Sequence, residues 1–193
     1  MGTISVFESV TLDGVLQSVG RPDEDTRGGF RHGGWGEGYA DEVIGRFAGA
    51  SMGRTTAMLL GHRTYDDLLG HWTSVPEPNP FTRALLNQDK YVASRDAGAE
   101  LAHPNSTLLS GEAAETVAAL KRDVEGVITV LGSGELVRSL HAAGLVDEYA
   151  LLIHPIVLGS GTRLFGDADR GDLVLRESVT STTGVVMARY QTD

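Results

Sequence analysis

The chain has 193 residues, with 16 Lys+Arg against 26 Asp+Glu for a formal net charge of −10, and it contains no cysteine. That length suits one domain, expected over 1–193, and the acidic balance argues against a nucleic-acid binder, whose phosphate contacts need a basic face. The missing cysteine excludes disulfides, thiolate zinc sites, iron–sulfur clusters and a cysteine nucleophile together, and it agrees with a reducing, cytoplasmic setting.

Hydrophobic content of 41% and charged content of 22% are values of a globular chain. Glycine is the outlier at 25 of 193 residues, against roughly 7% on average. No stretch approaches the ~18 apolar residues of a membrane span, and the first residues lack the basic flank and apolar core of a signal peptide.

In chain order, residues 4–10 read as a first strand with imperfect alternation. A glycine-rich segment, 13–38, follows. It cannot be a core element, and a loop this long in a compact domain is often functional. Phe30 and Trp35 are its large apolar anchors. Residues 41–50 read as a helix, because Val43, Ile44, Phe47 and Ala48 recur at helical spacing. The apolar run 57–60 suits a buried parallel strand. A short helix over 64–69, a proline-rich loop over 75–80, a helix over 81–87 and a strand over 90–93 come next.

Leu108 and Leu109 mark a further strand fragment. The next helix has Val117, Ala118, Leu120 and Val124 as its apolar positions, and 127–131 is the clearest buried strand. Residues 134–143 form a helix closed by Gly144, a favourable residue after a helix end. A strand over 149–153 and a hairpin of 173–181 with 185–190 complete the chain. Strands alternating with helices predict a mostly parallel sheet covered by helices on both faces, a three-layer α/β/α sandwich, with antiparallel pairing in the closing hairpin. Ligands in such sheets sit at the carboxyl ends of the strands.

The residues after the strands therefore carry the chemistry. After 127–131 come Gly132, Ser133, Gly134, Glu135 and Leu136. Two glycines let the backbone approach a ligand, and the helix start that follows presents free N–H groups and a positive dipole end to an anion. The dinucleotide fingerprint is incomplete, with Val137 where a third glycine would stand, so a plain tight turn is equally consistent. Gly61, Arg63 and Thr64 follow the 57–60 strand; Ser94 and Arg95 follow 90–93. Guanidinium groups grip phosphates through paired hydrogen bonds, although surface ion pairs are the ordinary alternative. No P-loop or hydrolase-elbow spacing occurs. The six histidines show no metal-ligand pairing, and His154 reads as a strand-end residue.

Several segments in order resemble the dihydrofolate-reductase-like superfamily. They are Thr11-Leu12-Asp13-Gly14, Leu60-Gly61-His62-Arg63-Thr64-Tyr65, Ala93-Ser94-Arg95, Gly132-Ser133-Gly134-Glu135-Leu136, and the run from Ala143 to Gly161 with Leu164-Phe165. The chain is most similar to the reductase domain of the bifunctional riboflavin-biosynthesis deaminase-reductase and its stand-alone bacterial relatives. The resemblance implies a homodimeric, NADPH-dependent oxidoreductase acting on a small heterocyclic or ribosylamino-pyrimidine-like substrate. Gly61, Arg63 and Thr64 would then face the pyrophosphate and nicotinamide, Ser94 and Arg95 the adenosine ribose and its 2′-phosphate, and Gly132, Ser133, Gly134, Glu135 and Leu136 the pyrophosphate. Phe7, Asp13 and Trp35 would lie on the substrate side, and Asp41 or Asp13 could supply a proton. A non-catalytic nucleotide-binding homodimer that kept the fold is the competing reading. No part of these 193 residues resembles the deaminase domain, and Leu131 stands where the riboflavin reductase usually has a Glu.

Overall fold

The computed structural model describes residues 1–77, 79–166 and 170–193. Pro78, in the loop expected at 75–80, lies outside the described residues. The elements follow as β1 (Thr3–Thr11), α1 (Glu42–Gly53), β2 (Thr55–Gly61), α2 (His62–Thr73), α3 (Pro80–Asn87), β3 (Asp89–Ser94), β4 (Ser106–Ser110), α4 (Ala113–Asp123), β5 (Val127–Leu131), α5 (Gly134–Ala142), β6 (Glu148–His154), β7 (Leu173–Thr180) and β8 (Val186–Thr192). The strand order is β4-β3-β2-β5-β1-β6-β8-β7. Strands β1 to β6 pair in parallel, whereas β8 runs antiparallel to both β6 and β7. This is the mostly parallel α/β sandwich with a C-terminal antiparallel hairpin that the strand–helix alternation predicted.

The chain forms two compact units. The first comprises Met1–Ile4 and Thr55–Leu145. In it β2 is buried from Ala57 to Leu60, as a parallel strand covered on both faces should be. Helix α2 is longer than the sequence suggested, because Gly61 in extended conformation (φ −75°, ψ 148°) is itself the N-cap and the helix starts directly at the strand end. Tyr65 and Leu69, one turn apart, carry its buried face. Asn79 caps α3 through a hydrogen bond from the Thr82 N–H (2.9 Å), and Pro80 takes the first helical position. Val124, expected within the preceding helix, is extended (φ −103°, ψ 134°), so α4 stops at Asp123. Gly144 (φ +64°) ends α5 through bonds from its own N–H to the His141 carbonyl and from the Leu145 N–H to the Leu140 carbonyl.

The second unit comprises Ser5–Arg54 and Val146–Asp193. Strands β1 and β6 pair in continuous register from Ser5 with Glu148 to Thr11 with His154. Phe47 of α1 packs on Ala150, Leu152, Val185 and Met187, with Phe7 and Ile44 at the margin. The hairpin enters the sheet through its second strand: β8 buries Met187, Ala188 and Arg189, whereas β7 is exposed along most of its length and forms an edge.

The 13–38 segment is irregular apart from a 3₁₀ turn at Arg27–Gly29, yet it is tied together. The Gln17 amide donates to the carbonyls of Asp25 (3.1 Å) and Arg27 (3.0 Å) and accepts from the Thr162 N–H (2.9 Å). The Trp35 indole N–H donates to the Gln17 carbonyl (2.7 Å), and Trp35, Phe30 and Val15 are buried together. At the start of β6, Glu148 Oε1 accepts from Ser5 (2.8 Å), Arg54 (2.6 Å) and Arg189 (2.8 Å). Arg189 also reaches Ser51 (3.1 Å), and its guanidinium lies over the Phe47 ring.

Candidate active site

In the first unit the expected cofactor residues divide into a braced turn and free cations. Gly132 (φ +59°) and Ser133 (φ +68°, ψ +50°) are both left-handed, a conformation a serine adopts only under constraint. The constraint is visible: Ser133 Oγ accepts from the Gly61 N–H (2.8 Å). A Cβ on Gly132 would lie 2.8 Å from Thr64 Cγ2, so only glycine fits there. Gly61, Thr64, Gly132 and Ser133 are thus brought together from two strand ends.

The first intrahelical bond of α5 runs from the Val137 N–H to the Ser133 carbonyl (3.0 Å). The N–H groups of Gly134, Glu135 and Leu136 precede it and have no intrahelical partner. Successive left-handed residues leading into a helix start form a concave row of N–H groups suited to an anion. The Glu135 side chain is exposed and Leu136 is buried, so both contribute backbone here.

Ser94 ends β3, and its hydroxyl accepts from the Asp96 N–H (3.1 Å). Arg63 and Arg95 are exposed, and neither has an ion pair or hydrogen bond among the described residues. Surface ion pairing therefore does not account for them, and both remain available to a phosphate.

The second unit contains the expected substrate-side residues, and most of them are ties. Asp13 accepts from Thr11 Oγ1 (2.6 Å) and from the N–H groups of Leu158 (3.2 Å) and Gly159 (2.9 Å), with Arg163 alongside. The Thr11 hydroxyl and these backbone donors push its pKa down to about 2. Asp41 caps α1 by accepting from the Ile44 N–H (2.8 Å), and its other oxygen accepts from the Thr182 N–H and hydroxyl (2.7 Å each). Those bonds hold it below the usual carboxylate range. Both groups are ionised at neutral pH and cannot release a proton there. Phe7 packs in the apolar cluster under α1 and Trp35 in a different cluster, with Phe30 and Val15.

The second unit also holds a cleft of about 280 Å³, lined by Ser9, Glu37, Tyr39, Ile44, Leu152 and His154, with Val19, Gly20, Gly36 and Ala40. His154 stands edge-on to both Trp35 and Tyr39, each ring centroid 5.1 Å away. Its Nδ1 lies 3.1 Å from the Leu152 carbonyl. Burial pushes its pKa down despite that bond, which leaves it neutral at pH 7. Sequence reasoning placed His154 at a strand end but missed its place in the cleft. Only the fold brings Ser9 and Leu152 side by side in register and lays the 36–40 segment over them.

Glu8 was also missed. It is 6% exposed in β1, its Oε1 has no hydrogen-bond partner, and burial, assisted by the charge of Glu24, pushes its pKa up to about 8. The imperfect alternation of the first strand was its one trace in the sequence.

The strand order and the antiparallel C-terminal hairpin define a dihydrofolate-reductase-like α/β fold. Residues 3–187 match the RibD C-terminal domain family, and the chain belongs to that family, a reductase type of the riboflavin pathway. It is 31% identical over 145 residues to the uncharacterized protein YyaP of Bacillus subtilis, covering 72% of this chain and 75% of that protein. Its fold is similar to that of a putative riboflavin biosynthesis protein from Shewanella sp. PV-4 (TM-score 0.70, 19% identity, 99% of both chains). It is similar as well to dihydrofolate reductase from Enterococcus faecalis, complexed with NADP(H) (TM-score 0.63, 13% identity, 99% and 96% of the chains). Acinetobacter baumannii RibD aligns over the whole of this chain but only 58% of its own (TM-score 0.64, 12% identity). Among the described residues no helix is long and apolar enough to cross a membrane.

Proposed function

We propose that this protein is an NADPH-dependent reductase of the riboflavin-biosynthesis and dihydrofolate reductase type. It reduces a small heterocyclic or ribosylamino-pyrimidine-like compound. The observation that carries this reading is the strained Gly132–Ser133 turn, braced by Gly61 and packed on Thr64, in a unit where Arg63 and Arg95 have no partner among the described residues, inside a chain of net charge −10. The site fits a dinucleotide on that ground: left-handed Gly132 and Ser133 lead into a helix start whose Gly134, Glu135 and Leu136 N–H groups have no intrahelical partner.

When bound, NADPH supplies a hydride equivalent. The N–H groups of Gly134, Glu135 and Leu136 would hold the pyrophosphate, together with Arg63. Ser94 and Arg95 would take the adenosine ribose and its 2′-phosphate, the group that separates NADP from NAD. The cleft around Ser9, Tyr39 and His154 holds the substrate. A hydride added to an electrophilic carbon leaves a negative charge on the adjoining nitrogen or oxygen, and a proton must neutralise it. Asp13 and Asp41 are both ionised, so water in the open cleft delivers that proton. The two carboxylates serve position: Asp13 fixes the 158–159 loop and Asp41 the hairpin turn. A second copy of the chain is the proposed partner, supported by the exposed Leu175 and Val179 on edge strand β7.

Titration with NADPH, followed by nicotinamide fluorescence, tests the core of this reading. Saturation below roughly 0.1 mM is expected, with Arg63→Ala and Arg95→Ala each weakening binding by about tenfold or more, the worth of one charge-assisted contact. Absent binding at millimolar cofactor, or unchanged affinity in both variants, would overturn it. Binding without turnover on any pyrimidine or pterin substrate would favour the non-catalytic nucleotide-binding protein.

A further inference from the structure

The cleft of the second unit has an unusual electrostatic character for a family associated with riboflavin biosynthesis. Among the described residues no lysine or arginine lines it. Its charged group is the Glu37 carboxylate, and its imidazole, His154, is neutral at pH 7. Three arginines of the surrounding irregular segments are committed elsewhere, and a fourth, Arg31, is exposed and does not line the cleft. Arg21 pairs with Asp23 (3.5 Å), Arg27 with Asp25, and Arg163 with Asp13 (3.5 Å).

A phosphate monoester carries up to two negative charges and is held by guanidinium, ammonium or a row of backbone N–H groups. In this cleft it would meet a like charge and no cation. The remaining lining suits a flat, partly apolar ligand. Ile44 and Leu152 give apolar wall and Tyr39 an aromatic edge. The half-buried Ser9 hydroxyl, with no protein partner among the described residues, offers an orienting hydrogen bond.

We propose that the cleft selects an unphosphorylated substrate: an uncharged or cationic small ring compound that presents N–H donors to Glu37. The proposal rests on the reductase reading for the identity of the cleft and deepens it by naming the substrate class. Glu37 is the specificity-determining residue. It rejects phosphorylated compounds by charge repulsion and rewards amino or ring N–H groups by accepting from them. Specificity of this kind comes as much from the repulsive element as from the attractive one.

Matched pairs differing only in the phosphate test it: cytidine against cytidine 5′-monophosphate, and guanosine against guanosine 5′-monophosphate. Binding is measured by isothermal titration calorimetry on the 193-residue protein saturated with NADP⁺, so that the dinucleotide site cannot take up the nucleotides. Each nucleoside is expected to bind at least ~10-fold more tightly than its 5′-phosphate. In Glu37→Lys, at an exposed position, the order is expected to reverse, since a swap of charge sign a few ångströms from a dianion outweighs that ratio. Equal or tighter binding of the monophosphates to the native protein would overturn the proposal, as would an unchanged order in Glu37→Lys. Failure of both pairs to bind while NADP⁺ binds also overturns it and leaves the reductase reading standing. If NADP⁺ itself fails to bind, the reductase reading falls, and the same pairs on unliganded protein decide the charge selection by the same ranking.

Discussion

Glu8→Gln replaces a buried carboxylic acid by its neutral isostere. The folded protein holds Glu8 protonated up to about pH 8, against an ordinary value of 4.5. Between those values the unfolded chain has lost the proton and the folded chain has kept it. Stability therefore falls as pH rises, by about 1.4 kcal/mol per pH unit. The loss begins near pH 4.5, reaches about 3 kcal/mol at pH 7 and levels off at about 5 kcal/mol above pH 8. The glutamine side chain has no proton to lose, so the variant does not pay this penalty. It carries instead a constant offset of about 1–3 kcal/mol if its amide lacks a partner. Urea unfolding of both proteins at pH 5, 7 and 9 separates the two effects. The variant should gain on the native protein by several kcal/mol between pH 5 and pH 9. Parallel pH profiles would refute the reasoning, because they would mean that Glu8 is ionised and paired in the folded state.

Substitutions at Glu148, Gly132 and Thr64 probe the core ion pair and the turn after β5. Glu148→Gln weakens an oxygen that accepts from Ser5, Arg54 and Arg189; with the Arg189 charge left buried, a loss of about 3–5 kcal/mol is expected in chemical unfolding. Burial raises the Glu148 pKa, but those partners outweigh it and hold the group below its ordinary value. Its stabilisation is thus present above about pH 4.5 and lost as pH falls below, so the variant should show a shallower acid transition. Gly132→Ala places a methyl 2.8 Å from Thr64 Cγ2 at a positive φ. It should lower the melting temperature and weaken NADPH binding, and Thr64→Ser, which removes that methyl, should restore part of both in the double variant.

The elements built on local pattern were legible in the sequence. The buried run at 127–131 is β5 to the residue, and Gly144 ended its helix as expected because a left-handed stop is a local preference. The turn after β5 was legible as glycine spacing. The brace across it was not, since it joins Gly61 to Ser133 over 72 positions. Asp13 and Asp41 looked like candidate proton donors because carboxylates near strand-end glycine turns invite that role. Only the fold reveals that Leu158, Gly159 and Thr182 occupy their oxygens. The cleft was invisible for the same reason: Ser9, Glu37 and His154 share no sequence neighbourhood. The 13–38 segment read as a loop with aromatic anchors, and it is one. Its order comes from Gln17, whose partners at 25, 27 and 162 no spacing rule links.

The central claim is that the backbone turn after β5 receives the pyrophosphate of NADPH. Amide chemical-shift mapping on the ¹⁵N-labelled protein tests it most directly. The account predicts that NADPH moves the amide resonances of Gly61, Arg63 and Thr64, of Ser94 and Arg95, and of Gly132 to Leu136, with the largest changes at Gly134 and Glu135. Saturable binding that leaves the 132–136 amides unmoved would contradict it.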